Sequence, residues 1–208
     1  TPPAAFPSIL RGLSESGLLR PPGAAPWTRV VIEKPFGHDL ASARELNALV
    51  AHVLDESQVF RIDHYLGKET VQNILVFRFG NSLFEPLWNR KYVSHVEITA
   101  AERVGVEGRA RFYDQVGVVR DMLQNHLLQV LALCAMVLPL SFRADDVRDA
   151  RTQLFRSLRP LLPHEVPQHA VFGQHEGYRD VPDVARNSRT PTYVALEVFV
   201  ENWRWQGV

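Results

Sequence analysis

The chain has 208 residues, enough for one domain or two small ones with a hydrophobic core. Hydrophobic residues make up 46% of it and charged residues 22%, which is typical of soluble globular proteins. The 23 basic residues balance the 23 acidic ones, so the net charge gives no reason to expect a nucleic acid or an anionic membrane as a partner.

The lack of recognisable targeting signals and the single cysteine together predict a cytoplasmic protein. The longest apolar stretch, residues 127–138, is too short to span a bilayer, which requires about 20 residues. The start at Thr1 lacks the charged and apolar regions of a secretory signal peptide. Cys134 is the single cysteine, so the chain has no internal disulfide and suits a reducing compartment.

The first third of the chain predicts a βαβ unit. A short helix over 6–19 precedes a buried strand at 30–32. Asp39 is a suitable N-cap for a helix that ends near residue 54, and a second strand follows at 58–62. Two strands separated by a helix over about thirty residues should be parallel, with a right-handed crossover.

The rest of the chain predicts an α+β arrangement with an antiparallel or mixed sheet. A helix begins near Lys68 and runs toward residue 79, and a long helix from Gly117 is stopped by Pro139. The other predicted elements are strands at 92–99, 168–172 and 193–200 and a helix at 145–158. The predicted fold class is therefore α/β plus α+β.

Polar side chains follow both strands of the βαβ unit. Lys34 follows the first strand, and Asp63, His64 and Tyr65 follow the second. Ligands of parallel sheets bind beyond the carboxyl ends of the strands, so these side chains can converge on one crevice. Lys68 opens the next helix, whose N-terminus favours an anion, and this predicts a phosphate site. The alternative is a loop of ordinary solvated polar residues.

The predicted helix from Gly117 carries polar residues in its first half. Asp121, Gln124 and Asn125 share a face at i, i+3 and i+4, and His126 follows them. Polar groups on a buried helix need partners or a polar ligand such as a sugar. The alternative is a core histidine and amides that bond to the backbone. Glu102, just past a predicted strand, can reach the same crevice or be an ordinary exposed glutamate.

These motifs together resemble the glucose-6-phosphate dehydrogenase family, over essentially the whole chain and in the family's order. The runs that carry the resemblance are Glu33-Lys34-Pro35-Phe36-Gly37, Arg61-Ile62-Asp63-His64-Tyr65-Leu66-Gly67-Lys68-Glu69 and Asp121-Met122-Leu123-Gln124-Asn125-His126. Supporting matches include Trp88-Asn89-Arg90, Gly108-Arg109 and the final Glu201 to Val208. The nine-residue run around Asp63 is the most specific of these.

The resemblance implies the oxidation of glucose 6-phosphate to 6-phosphogluconolactone with NADP, the first step of the pentose phosphate pathway. It implies that His126 is the general base and that Asp63 orients it. It further implies that His64, Tyr65 and Lys68 bind the phosphate and that Glu102 and Asp121 bind the sugar hydroxyls. Lys34 would contact both substrate and coenzyme. The resemblance also implies that Pro35 is cis and lines the coenzyme site.

The resemblance also implies that the chain is the central segment of a longer enzyme, a homo-oligomer when full length. The glycine-rich coenzyme loop of the family has no counterpart here. Residues 1–63 would be the C-terminal part of a Rossmann-like NADP-binding domain, and residues 64–208 the N-terminal part of the α+β substrate domain. We expect the chain by itself not to reduce NADP.

Other interpretations stay open. One alternative is a non-catalytic sugar-phosphate-binding or assembly fragment of the same family. Another is a different sugar oxidoreductase that shares only Glu33-Lys34-Pro35. His164, His169 and His175 lack the spacing of metal ligands, so we expect no metal.

Overall fold

The computed structural model of the chain describes residues 5–106 and 108–208. These fall into two units, Thr1–His64 and Tyr65–Val208. The first unit contains α1 (Phe6–Glu15), β1 (Val30–Glu33), α2 (Leu40–Val53) and β2 (Val59–Ile62). The second contains α3 (Glu69–Phe79), α4 (Ala110–Val118), a π-helix (Val119–Leu127), α5 (Leu128–Ala135), α6 (Ala144–Arg156), α7 (Val166–His169), β3 (Ala170–Gly173) and β4 (Tyr193–Leu196).

The predicted βαβ unit is confirmed in the first unit. β1 and β2 are parallel neighbours, with Glu33 opposite Ile62 at their carboxyl ends. Asp39 caps α2, because its carboxylate accepts a hydrogen bond from the Ser42 amide at 2.8 Å. The Ser42 hydroxyl in turn accepts from the Asp39 amide at 3.1 Å, which completes a capping box.

One face of this strand pair is covered by helices. Ile32 and Val59 lie in a core with Leu46 and Val50 of α2 and with Leu10 of α1. The helix α1 ends at Glu15, earlier than predicted, because Gly17 adopts a φ of 67° that an α-helix cannot continue through.

The second unit has an antiparallel strand pair, as expected for an α+β arrangement. β3 pairs with β4, and Ala170 lies opposite Leu196. The strand predicted at 92–99 is wrong, since that segment has no regular secondary structure. A strand needs a neighbour that completes its hydrogen bonds, and within the described residues this segment joins no ladder.

The long helix predicted from residue 117 to 138 is present, but it is not a single regular α-helix and it ends at Ala135. Gly117 has a φ of 71° and breaks the helix between α4 and the residues that follow. A π-helix then runs over Val119–Leu127 and continues directly into α5. α5 ends at Ala135 because Met136 is extended, three residues before Pro139.

The last carbonyl groups of α5 are satisfied by side chains, two of them buried and one, Trp88, partly buried. The pairs are Arg78 with the Leu133 and Met136 carbonyls, at 2.7 and 2.8 Å, Trp88 Nε1 with the Cys134 carbonyl at 2.7 Å, and Trp205 Nε1 with the Ala135 carbonyl at 2.6 Å. A helix end leaves four carbonyls without intrahelical partners, so these donors complete the C-terminus of α5. These hydrogen bonds hold the C-terminal end of α5, the helix that follows the π-helix.

None of the helices in the described part of the chain combines the length and the apolar character that crossing a membrane requires.

Candidate active site

The loop after β1 is held in a defined path. The Lys34–Pro35 peptide bond is cis, as the resemblance implies. Gly37 has a φ of 78°, and a Cβ atom placed there would lie 2.6 Å from the backbone nitrogen of Ala43. Only glycine fits so close to the start of α2, so Gly37 lets the loop that carries the half-buried Lys34 pass directly against that helix.

Lys34 and Asp63 leave the sheet at the same edge. Each follows the last residue of its strand, and those two residues, Glu33 and Ile62, are paired. Asp63 is half-buried and His64 is exposed. The strand ends that carry Lys34 and Asp63 are therefore neighbours, at the edge where ligands of parallel sheets bind, and the convergence of their side chains stays a prediction.

Tyr65 is the centre of a cluster of polar side chains in the second unit. Its ring is stacked on the imidazole of His126, with centroids 4.3 Å apart and planes 15° apart. The Lys68 ammonium lies 3.6 Å from the centroid of the same ring. The Tyr65 hydroxyl donates to Glu102 Oε1 at 2.9 Å. The buried Tyr65 side chain thus contacts the Lys68 cation and the His126 imidazole through its ring and the Glu102 carboxylate through its hydroxyl. In the sequence these three partners belong to separate motifs.

Burial divides this cluster into a core and a rim. His126 has no exposed surface and Tyr65 is 8% exposed. Lys68 and Glu102 are exposed. Lys68 is also the N-cap residue of α3, where free backbone amides and the helix dipole favour an anion. The rim therefore offers charge to a ligand from solvent, and the core offers an imidazole held by stacking.

The π-helix changes which residues share a face. In a π-helix the hydrogen bonds run from i to i+5, so residues about five apart lie together. Asp121 and His126 are both buried, whereas Gln124 is exposed and lines an open cleft with Arg120 and Arg189. The predicted face of Asp121, Gln124 and Asn125 is therefore wrong, because it assumed α-helical spacing.

Arg109 is a partner of Asp121 that sequence reasoning missed. Its Nη2 and Nη1 atoms donate to the Asp121 Oδ2 and Oδ1 atoms at 2.8 and 3.2 Å. The sequence contained only a weak signal, the Gly108-Arg109 match to the family. Burial raises the pKa of the neighbouring Tyr113 to about 12, and the Asp121 charge acts in the same direction while Arg109 opposes it.

Comparisons with known families cover all of the chain except residue 74. The profile described as "Glucose-6-phosphate dehydrogenase, NAD binding domain" matches residues 1–73. The profile described as "Glucose-6-phosphate dehydrogenase, C-terminal domain" matches residues 75–208. The two matches are adjacent and in the family's order.

Curated relatives are similar throughout. A cytoplasmic isoform of glucose-6-phosphate 1-dehydrogenase from Solanum tuberosum is 45% identical over 207 residues, and the enzyme from Zymomonas mobilis is 48% identical over 218 aligned positions. Both alignments cover 100% of this chain. The chain spans 40% of the first protein and 44% of the second.

Solved structures give the same result. Glucose-6-phosphate 1-dehydrogenase from Mycobacterium avium superposes with a TM-score of 0.89 at 48% identity, over 100% of this chain and 44% of that one. A glucose-6-phosphate dehydrogenase in complex with its substrate glucose-6-phosphate has a TM-score of 0.87 at 37% identity, over 100% of this chain and 43% of that one. The chain belongs to the glucose-6-phosphate dehydrogenase family.

Proposed function

We propose that the chain is the central part of a glucose-6-phosphate 1-dehydrogenase, which oxidises glucose 6-phosphate to 6-phosphogluconolactone with NADP. The observation that carries the proposal is the cluster around Tyr65, which joins Lys68, Glu102 and His126 through direct contacts. A sugar phosphate requires a cation for its phosphate, an acceptor for its hydroxyls and a base at C1. The cluster contains one group of each kind.

The domain organisation we propose divides the chain near residue 63. Residues 1–63 would be the C-terminal part of a Rossmann-like coenzyme domain, and residues 64–208 the first part of an α+β substrate domain. The β1–β2 pair supports the first assignment, because Val31, Phe60 and Ile62 are exposed on the face opposite the helices. Parallel sheets are usually covered on both faces, so this pair suits a larger domain that covers the exposed face as well.

We propose that His64, Tyr65 and Lys68 bind the 6-phosphate. The exposed Lys68 ammonium at the start of α3 supports this role, since cation, helix dipole and backbone amides all favour an anion. The Tyr65 hydroxyl now donates to Glu102. A phenolic hydroxyl has one proton to donate, so a bound phosphate and Glu102 would compete for it.

We propose that Glu102 and Asp121 accept hydrogen bonds from the sugar hydroxyls. Both are carboxylates, and an ionised carboxylate only accepts, which suits a polyol rich in donors. Asp121 is almost fully buried and held by Arg109, so it would provide a fixed acceptor. Glu102 is exposed and would provide an adjustable one.

In the proposed reaction His126 takes the proton from the C1 hydroxyl as hydride leaves C1. Stacking on Tyr65 fixes the plane of the imidazole, and the family's motif assigns Asp63 the task of orienting it. NADP supplies the hydride acceptor. Lys34, on the loop at the carboxyl edge of a parallel pair, fits contact with a polar coenzyme, and Pro35 would line the same site.

The test uses a full-length enzyme that contains this sequence. NADPH formation should require glucose 6-phosphate, and glucose without the phosphate should react with a kcat/KM lower by several orders of magnitude. NADPH formation with glucose at the same efficiency, or none with glucose 6-phosphate, contradicts the proposal. We also propose a cytoplasmic homo-oligomer; the name of the Solanum tuberosum relative supports the location.

The phosphate assignment predicts a selective effect on substrate affinity. In the full-length enzyme, Lys68→Ala and His64→Ala should each raise KM for glucose 6-phosphate by roughly ten- to a hundredfold, because a charged hydrogen bond contributes about 1.5–3 kcal/mol. Some loss of kcat is expected, since remote binding energy is also used in the transition state.

The matched control is Lys91→Ala, which removes another exposed lysine of the chain. Steady-state kinetics on the three variants decide the matter. Unchanged KM together with reduced kcat in both Lys68→Ala and His64→Ala would show that the phosphate is bound elsewhere.

A further inference from the structure

We propose that Arg109 is a positioning residue for sugar binding, acting through Asp121. This inference rests on the proposed function, in which Asp121 accepts a hydrogen bond from a sugar hydroxyl. Arg109 would hold the Asp121 carboxylate in one orientation, so that the plane of its two oxygens is set before the substrate arrives.

The geometry of the pair is a two-point fork. Nη2 and Nη1 of Arg109 reach Oδ2 and Oδ1 of Asp121 at 2.8 and 3.2 Å, one nitrogen to each oxygen. Such a bidentate pair fixes rotation of the carboxylate about its last bond, which a single hydrogen bond does not. A lysine ammonium is a point charge and cannot make the same contact.

Burial makes the pair asymmetric. The Asp121 side chain is 4% exposed and the Arg109 side chain is 46% exposed. A buried carboxylate needs charge compensation, because desolvation of an isolated charge costs several kcal/mol. Arg109 therefore compensates the charge of the Asp121 carboxylate and also orients it, while nearly half of the Arg109 side chain stays exposed to solvent.

The backbone places Arg109 for this contact. It is the N-cap residue of α4, and its side chain makes no capping hydrogen bond to that helix. Gly108, just before it, has a φ of 82° and turns the chain into α4. The Arg109 guanidinium also lies 5.8 Å from the ring centroid of Tyr113, one turn along α4, which limits its alternatives.

The fork with Arg109 does not use every acceptor position of the Asp121 carboxylate. An ionised carboxylate has about four acceptor positions, and the fork uses one on each oxygen. The fork by itself therefore does not exclude a hydrogen bond from a sugar hydroxyl to Asp121. Substrate binding would find an acceptor already oriented, which lowers the entropy lost on binding.

The test compares kinetic constants in a full-length enzyme that contains this sequence. Arg109→Met should raise KM for glucose 6-phosphate by about tenfold or more and change kcat by less than about threefold, the pattern of lost ground-state binding. Arg109→Lys should raise KM too, since the charge remains but the fork does not. Arg111→Met, which replaces an exposed arginine on the same helix, is the matched control and should leave both constants unchanged.

A double-mutant cycle separates positioning from general damage. If Arg109 acts through Asp121, Arg109→Met in an Asp121→Asn background should add little to the KM of Asp121→Asn alone. Added methylguanidinium should lower the KM of an Arg109→Ala variant, whose small side chain leaves room for it, and leave that of Asp121→Asn unchanged. KM effects that multiply in the double variant, or a wild-type KM in Arg109→Met, overturn the inference.

The outcomes distinguish this inference from the function on which it rests. A wild-type enzyme that does not oxidise glucose 6-phosphate contradicts the proposed function itself. An active wild-type enzyme with uncoupled Arg109 and Asp121 contradicts only the positioning role. If Arg109→Met does not fold, Arg109→Lys decides, because a wild-type KM in that variant shows that the fork is not needed.

Discussion

Full-length enzyme with His126→Asn is expected to lose about a hundredfold or more of its kcat for glucose 6-phosphate, with sugar-phosphate KM largely retained. Hydride leaves C1 only as the C1 hydroxyl loses its proton, so removal of the base acts on the chemical step. Asparagine keeps much of the shape of the imidazole and some hydrogen bonding, but it cannot accept the proton. Asp63→Asn should lower kcat as well, by a smaller factor.

The pH dependence of the rate checks the same assignment independently. The base must be unprotonated to accept the C1 proton, so protonation of His126 should reduce the wild-type rate on the acidic side of the profile. This acidic limb should disappear in His126→Asn. His52→Asn, at an exposed histidine at the end of α2, is the control and should keep both rate and profile. Near-wild-type kcat or an unchanged acidic limb in His126→Asn would place the base at another residue.

Arg78→Met is expected to lower the local free energy of unfolding of α5 by roughly 3 kcal/mol or more. Arg78 is fully buried and donates to the Leu133 and Met136 carbonyls and to Glu85. Burial lowers the pKa of the guanidinium, while the Glu85 charge opposes that shift. Methionine fills much of the volume but leaves buried carbonyls without a donor.

Amide hydrogen exchange in the full-length enzyme measures this effect at the residues concerned. The amides of α5 should exchange faster in Arg78→Met, by about two orders of magnitude for 3 kcal/mol. Arg156→Met, at an exposed arginine in the last turn of α6, should leave α5 unchanged. Wild-type protection of α5 in Arg78→Met would mean that the Trp88 and Trp205 donors alone complete the helix end.

Local signals in the sequence are sufficient to predict the first unit. Asp39 with Ser42 defines the start of α2, and the apolar runs on either side define β1 and β2. A parallel arrangement then follows from the length of the crossover. Because parallel strands share one carboxyl edge, the same reasoning places the polar residues beyond β1 and β2 together at that edge.

Long-range partners cannot be predicted in the same way. Arg78 and Arg109 are ordinary basic residues in the sequence, and their acceptors lie on segments that follow much later or after a helix break. The segment 92–99 has the composition of a strand, but composition does not supply a neighbour. The family motif assigns Tyr65 to phosphate binding alone and does not predict that its ring stacks on His126. That stacking depends on how the segments around α3 and α5 pack, which no local sequence pattern encodes.

Because of the π-helix, the positions of Asp121 and His126 relative to each other depend on the number of residues between them. Each residue of an α-helix turns the chain by about 100° and advances it 1.5 Å. Deleting one residue within the π-helix would favour regular α-helical bonding into α5, because π-helices are rare. His126 would stay in place with α5, but Asp121 would rotate to another face of the helix than His126. The segment is therefore expected to tolerate substitution at exposed positions such as Gln124 far better than any change in length.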